Sequence, residues 1–160
     1  MNKPIQQLEE LTRLAVREVF QSMVTMDVTP EDPTPIADAQ GEIVGSVGFV
    51  GETTNGVIYL YAGVSFIRAA TSQMLGISEQ EVDNNEMVND AFGELTNMVA
   101  GYVKTRLASN GGPCALTIPT IVRGQRLTVE GSATVTRKII GFRNGDHHFM
   151  AELLLKDAAK

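Results

Sequence analysis

Between Asn85 and Leu107 apolar residues recur at steps of three and four: Val88, Ala91, Phe92, Leu95, Met98, Val99 and Tyr102. At about 100° per residue they share one broad arc, which predicts an amphipathic helix whose stripe must be buried against another layer. The rest of the chain has to supply that layer. The opposite arc is unusual. Glu94 and Asn97 lie about 60° apart on it, with Asp90 and Gly101 beside them and Gly93, Ala100 and Lys104 at its margin. Asparagine is a poor mid-helix residue, and each glycine there costs about 1 kcal/mol relative to alanine. Small residues around one carboxylate and one carboxamide suit a second surface that comes close. A solvated face with tolerated glycines is the other reading that spacing alone leaves open.

The remaining segments predict a mixed α/β layout. Pro4 suits the first turn of a helix carrying Ile5, Leu8, Leu11, Ala15, Val19 and Met23 on one side and ending near Met26. Residues 27–40 hold Pro30, Pro33 and Pro35 among acidic residues and predict an extended surface loop or edge. Glu42–Val50 and Gly56–Ala62 flank the turn-forming run GETTNG, which predicts a hairpin. Glycines 45, 48 and 51 in its first strand point to a bulge or to close packing by a helix. Val64–Leu75 predicts a short helix closed by Gly76, and Ser78 with Glu81 forms a capping-box pattern.

The helix that begins at Asn85 is expected to end around Ser109, where Asn110-Gly111-Gly112-Pro113 makes a stop. Beyond it Ala115–Val122, Gln125–Arg137 and His148–Leu155 predict strands, with turns at Arg123-Gly124 and Asn144-Gly145. Pro119 would interrupt ladder pairing, which suits an edge or bulge. At 160 residues with 43% apolar content, a single domain spanning 1–160 is expected, with two main helices on one face of the sheet.

Charge excludes several classes of function. The net charge of −6 and the scatter of the basic residues argue against nucleic acid or an anionic membrane as partner. The apolar run Val57–Ile67 is far short of the roughly 20 residues that span a bilayer. Cys114 is the one cysteine, expected as a small buried side chain, and the amphipathic N-terminal helix lacks the apolar core of a signal peptide. A soluble, cytoplasmic location is the expectation. His147 and His148 would point to opposite faces of a strand, and no cluster at metal-ligand spacing accompanies them, so no metal site is expected. The run GSVGFVG lacks the lysine of a phosphate loop and is expected to be structural, and the methionines fall on apolar stripes as core filling.

The stretch DAFGELTNMVAG, Asp90–Gly101, resembles the signature helix of the CheC/CheX phosphatases of bacterial chemotaxis. That signature is Asp or Ser, three residues, Glu, two residues, Asn, then roughly twenty residues and a Pro. Asp90, Glu94 and Asn97 take the first three places, and Pro119 takes the fourth at an interval one residue shorter than the family's. The signature occurs once here, whereas CheC-type members carry two copies, so the CheX branch is the closer match. The resemblance implies a mainly antiparallel sheet with two long helices packed on one face, and a homodimer formed through sheet edges. It also implies a phosphorylated CheY-like receiver protein as substrate. Asn97 would position the attacking water, Glu94 would pair with the receiver's active-site lysine, and Asp90, Gly93, Gly101 and Lys104 would line the docking face. No cofactor of its own is implied, and any Mg²⁺ would be carried by the receiver. A non-catalytic adaptor of the same fold is the alternative reading, and a purely structural dimerisation domain a weaker third.

Overall fold

Helix α3 (Asn85–Gly111) buries its apolar stripe on a seven-stranded antiparallel sheet. In this computed structural model residues 3–31, 41–111, 114–132 and 134–156 are described. Helix α1 is Lys3–Val24 and α2 is Val64–Leu75; the strands are β1 (Thr29–Glu31), β2 (Gly41–Gly51), β3 (Asn55–Ala62), β4 (Cys114–Leu116), β5 (Thr120–Leu127), β6 (Val135–Asn144) and β7 (His147–Lys156). Their spatial order is β1-β6-β7-β3-β2, and both β4 and β5 pair with the outer side of β2.

All three helices contribute to one core with alternate residues of the sheet, so the long α1 and α3 lie on one face as the periodicity requires, together with the shorter α2. From α3, Val88, Ala91, Phe92, Leu95 and Val99 are buried, while Met98 and Tyr102 are partly covered. Phe66 of α2 sits at the centre of an aromatic cluster, with ring centroids 5.9 Å from Phe20 and 5.0 Å from Phe149. Helix α2 has the expected bounds, and Gly76 closes it in the left-handed region at φ 67°. Both arms of the capping box at Ser78 and Glu81 are made, although the helix they open is one 3₁₀ turn, Glu79–Glu81. The Ser78 backbone N–H donates to Glu81 at 2.8 Å and holds that carboxyl below its usual range.

Several expectations need correction. Helix α1 stops at Val24, before Met26, because Thr25 turns to φ 53° and the Met26 N–H bonds back to Phe20 O at 3.2 Å. Helix α3 runs on to Gly111, past Ser109, and Gly112-Pro113 lie outside the described residues. The edge expected within 27–40 does form, as the three-residue strand β1 paired with β6, and 32–40 are outside the described residues. No turn forms at Arg123-Gly124. Both lie within β5, where two steps along β2 (Ile43 to Gly41) face four along β5 (Arg123 to Leu127), with Arg126 at φ 52°. Gly124 therefore marks a bulge.

Gln125–Arg137 is not one strand either. Leu127 and Val129 turn onto the face away from the helices and pack on Val44, Tyr61 and Met150. The connection from β5 to β6 thus lies over that face, and β6 continues well past Arg137 to Asn144. Ala115–Val122 is split into β4 and β5 at residues 117–119, so Pro119 falls in the break of an edge strand, as its missing N–H requires. Thr117 bridges the break: its N–H donates to Gly48 O at 2.9 Å, and its Oγ1 accepts from the Gly48 N–H at 2.8 Å. Cys114, expected buried, is only partly so.

On the face opposite the helices Glu152 is fully buried. It accepts from the Tyr61 hydroxyl at 2.6 Å and pairs with Arg137 Nε. Burial first, and then donation to Glu152, push the Tyr61 hydroxyl well above its usual 10.0. A raised folded-state value means stability is fully present below about pH 10 and is lost as pH climbs above it. Denaturant unfolding should therefore show falling stability above about pH 10, and Tyr61→Phe should cost about 1–3 kcal/mol at neutral pH by leaving Glu152 short of a donor. A variant as stable as the parent would show that Glu152 does not depend on that hydroxyl.

Candidate functional site

Seating α3 on the sheet decides which residues face out. Leu95 and Thr96 are both fully buried, and at about 100° per residue they straddle the direction opposite the midpoint of Glu94 and Asn97. Glu94 and Asp90 are exposed, and Asn97, Gly101 and Lys104 are partly exposed. Gly93 and Ala100 are buried. Glu94, Asn97, Asp90, Gly101 and Lys104 thus share one accessible side of the helix, while Gly93 lies beneath it against β5.

The two glycines differ in their surroundings. A Cβ built on Gly93 would lie 3.9 Å from Ile121, an ordinary contact, whereas one on Gly101 would meet nothing within 4 Å. Nothing in the described chain uses the absence of a side chain at Gly101. Beside it runs a groove of about 450 Å³ between α1 and α3, lined by Val19, Met98, Gly101 and Tyr102 with Glu18 and Arg106 among its polar residues. The Arg106 guanidinium stacks 3.4 Å over the Tyr102 ring. Sequence reasoning missed this groove, because its other wall is far away along the chain.

Bare Glu-x-x-Asn spacing is not rare in this sequence. Glu52/Asn55, Glu81/Asn84 and Glu86/Asn89 share it with Glu94/Asn97. In the first three the asparagine carbonyl is already used. Asn55 Oδ1 accepts from the Gly51 N–H at 3.1 Å, Asn84 Oδ1 caps the Met87 N–H at 2.9 Å, and Asn89 Oδ1 accepts from Arg123 Nε at 3.0 Å. Among the described residues no hydrogen bond or ion pair engages the side chain of Asn97 or of Glu94. An accessible carboxamide with both its donor and acceptor free can bind a water or a polar group brought by a partner.

Other candidates are occupied locally. His147 stacks on Phe66 with centroids 5.2 Å apart, and His148 Nδ1 lies 2.9 Å from Glu31 Oε1. Among the described residues no three His, Cys, Asp or Glu side chains gather as metal ligands, and no helix is long and apolar enough to cross a membrane.

The chain matches a family model, chemotaxis phosphatase CheX, over residues 43–143. The CheY-P phosphatase CheX of Thermotoga maritima is 22% identical over 125 residues, which is 77% of this chain and 79% of that protein. A crystal structure of a CheC-like superfamily protein from Shewanella sp. PV-4 superposes with a TM-score of 0.83 at 26% identity, covering 98% of this chain and 99% of that one. A chain of the CheX–CheY–BeF₃–Mg²⁺ complex from Borrelia burgdorferi shares the fold, with a TM-score of 0.76 at 18% identity over 93% of this chain and 97% of that one.

Because the space beside Gly101 is open, Gly101→Ala should raise stability by about 0.5–1 kcal/mol, read as a rise of a few degrees in Tm. A fall in Tm would mean that the chain itself fills that space.

Proposed function

The chain belongs to the CheX family of chemotaxis phosphatases, and from that premise we propose that it hydrolyses the aspartyl phosphate of a CheY-like receiver domain. The observation that carries this reading is Asn97. Of four asparagines spaced alike from a glutamate, it alone keeps its carboxamide free, on an accessible helix face beside a free carboxylate. The curated relative from Thermotoga maritima is a CheY-P phosphatase, and the Borrelia burgdorferi structure is a complex with CheY, which supports the same class of partner.

An acyl phosphate is already reactive, so the catalyst needs neither a nucleophile nor a metal of its own. It has to place one water in line with the phosphorus. In this reading α3 lies across the receiver's phosphorylation pocket. The Asn97 carbonyl accepts a hydrogen bond from the water, and its NH₂ donates to a nearby oxygen. The water oxygen bonds to phosphorus as the bond from phosphorus to the aspartyl oxygen breaks, releasing inorganic phosphate and the receiver's carboxylate. Glu94 pairs with the receiver's active-site lysine, a charge-assisted contact of about 1.5–3 kcal/mol once shielded from solvent. Asp90 and Lys104 flank the contact, Gly101 gives the partner room, and Gly93 supports it from below. Mg²⁺ belongs to the receiver. The protein acts in the cytoplasm as a homodimer joined at a sheet edge, for which β1 and the β4–β5 side are the two among the described residues.

Asn97→Ala should lower the maximal dephosphorylation rate about 100-fold or more while receiver affinity stays within about threefold. Glu94→Ala should weaken both. Phosphate release from purified phosphorylated receivers, measured with receiver binding, reads the two together, and an Asn97→Ala protein at full rate would remove that residue from the mechanism. As neither side chain transfers a proton, the rate should stay flat between about pH 6 and 8, and a sharp bell-shaped profile would contradict the scheme.

A further inference from the structure

We infer that Gly45 and Thr96 form a size-matched seat that sets the depth and rotation of α3, and with them the aim of Glu94 and Asn97; both are positioning residues. The inference rests on the proposed roles of Glu94 and Asn97.

Gly45 lies in β2 between its ladder partners Leu60 and Ile121, so it is a low point in the sheet surface with a large residue on either side. Thr96 descends into that point. A Cβ on Gly45 would stand 3.2 Å from Thr96 Cβ and 3.3 Å from its Cγ2, with Oγ1 nearer still and well inside van der Waals contact. The obstruction is stiff. Thr96 is fully buried and β-branched, and its Oγ1 donates to Phe92 O at 2.7 Å, which locks the side chain to the preceding turn. One turn earlier the approach is looser, since a Cβ built on Gly93 would lie an ordinary 3.9 Å from Ile121, so the close fit of helix to sheet is at Gly45 and Thr96.

Thr96 sits between Glu94 and Asn97 in sequence but on the other side of the helix. A methyl at Gly45 would push α3 outward or rotate it by roughly 1 Å, enough to displace a water-positioning amide from its in-line place. The receiver would still dock, because Glu94 and the surrounding face remain exposed.

The test is a size-swap cycle in the full chain, following phosphate release from a phosphorylated receiver. Gly45→Ala should lower kcat about 10–100-fold with KM within about threefold. Thr96→Ala alone, which empties the seat, should lower kcat about three- to tenfold with KM within about threefold. Gly45→Ala/Thr96→Ala removes the hydroxyl and methyl that the new Cβ would meet, leaving the two Cβ atoms 3.2 Å apart to refill the seat, and should recover kcat to within about threefold of the parent. Phe142→Leu, in β6 where its ring stacks 5.3 Å from Phe149, supplies a stability control. If it loses as much kcat at a matched fall in Tm, or if the double variant is no better than Gly45→Ala, the seat is not what positions the site. Should Gly45→Ala fail to fold, a folded and active double variant supports the inference, and an unfolded one overturns it. Asn97→Ala assayed in parallel separates the two readings: its full activity would sink the proposed chemistry whatever the cycle shows.

Discussion

The contact of α3 with the floor of β2 is the constraint on which the remaining structure depends. Burying Phe92, Leu95 and Val99 contributes about 1.5–3 kcal/mol each for large apolar side chains. That offsets the helix-propensity cost of Gly93, Asn97 and Gly101, about 0.5–1 kcal/mol apiece. A helix with so poor an outer face persists because its inner face is driven into the sheet. The same burial gives the outer face a fixed direction, since Leu95 and Thr96 cannot be inside unless Glu94 and Asn97 are outside.

The two sides of the sheet do different work. The helix side has a mainly apolar core, with the buried Thr96 among its few polar side chains, and carries α3. The other side is closed by the β5–β6 connection and contains the buried Glu152 with Tyr61 and Arg137. A buried carboxylate adds little net stability, but removing one of its partners is costly, so the network pins β3, β6 and β7 in one register. With those strands fixed, β2 is held beside β3, and Gly45 is presented at a set height beneath α3.

Much of this was legible in the sequence wherever the signal was local. Periodicity located α3 and α1, Gly76 and the Ser78–Glu81 pair marked real caps, and of the bulge or close helix packing that glycines 45, 48 and 51 pointed to, Gly45 provides the packing while Gly48 faces Thr117. The stretch between Gln125 and Asn144 was not legible. Its alternation of apolar residues serves a crossing segment that packs on the far face, and a glycine that looked like a turn is a bulge opposite β2. The distinction of Asn97 was hidden for a related reason. Four asparagines look alike in local spacing, and what separates Asn89 from Asn97 is a hydrogen bond to Arg123, 34 residues away.

The central claim is that α3 offers Glu94 and Asn97 together to a receiver's phosphorylation pocket. A crystal structure of this chain bound to its receiver loaded with BeF₃ and Mg²⁺ tests it most directly. The account predicts the Asn97 carboxamide within hydrogen-bonding reach of the in-line position opposite the aspartyl oxygen, and Glu94 paired with the receiver's lysine. A complex in which the receiver docks elsewhere and leaves that side of α3 in solvent would contradict it.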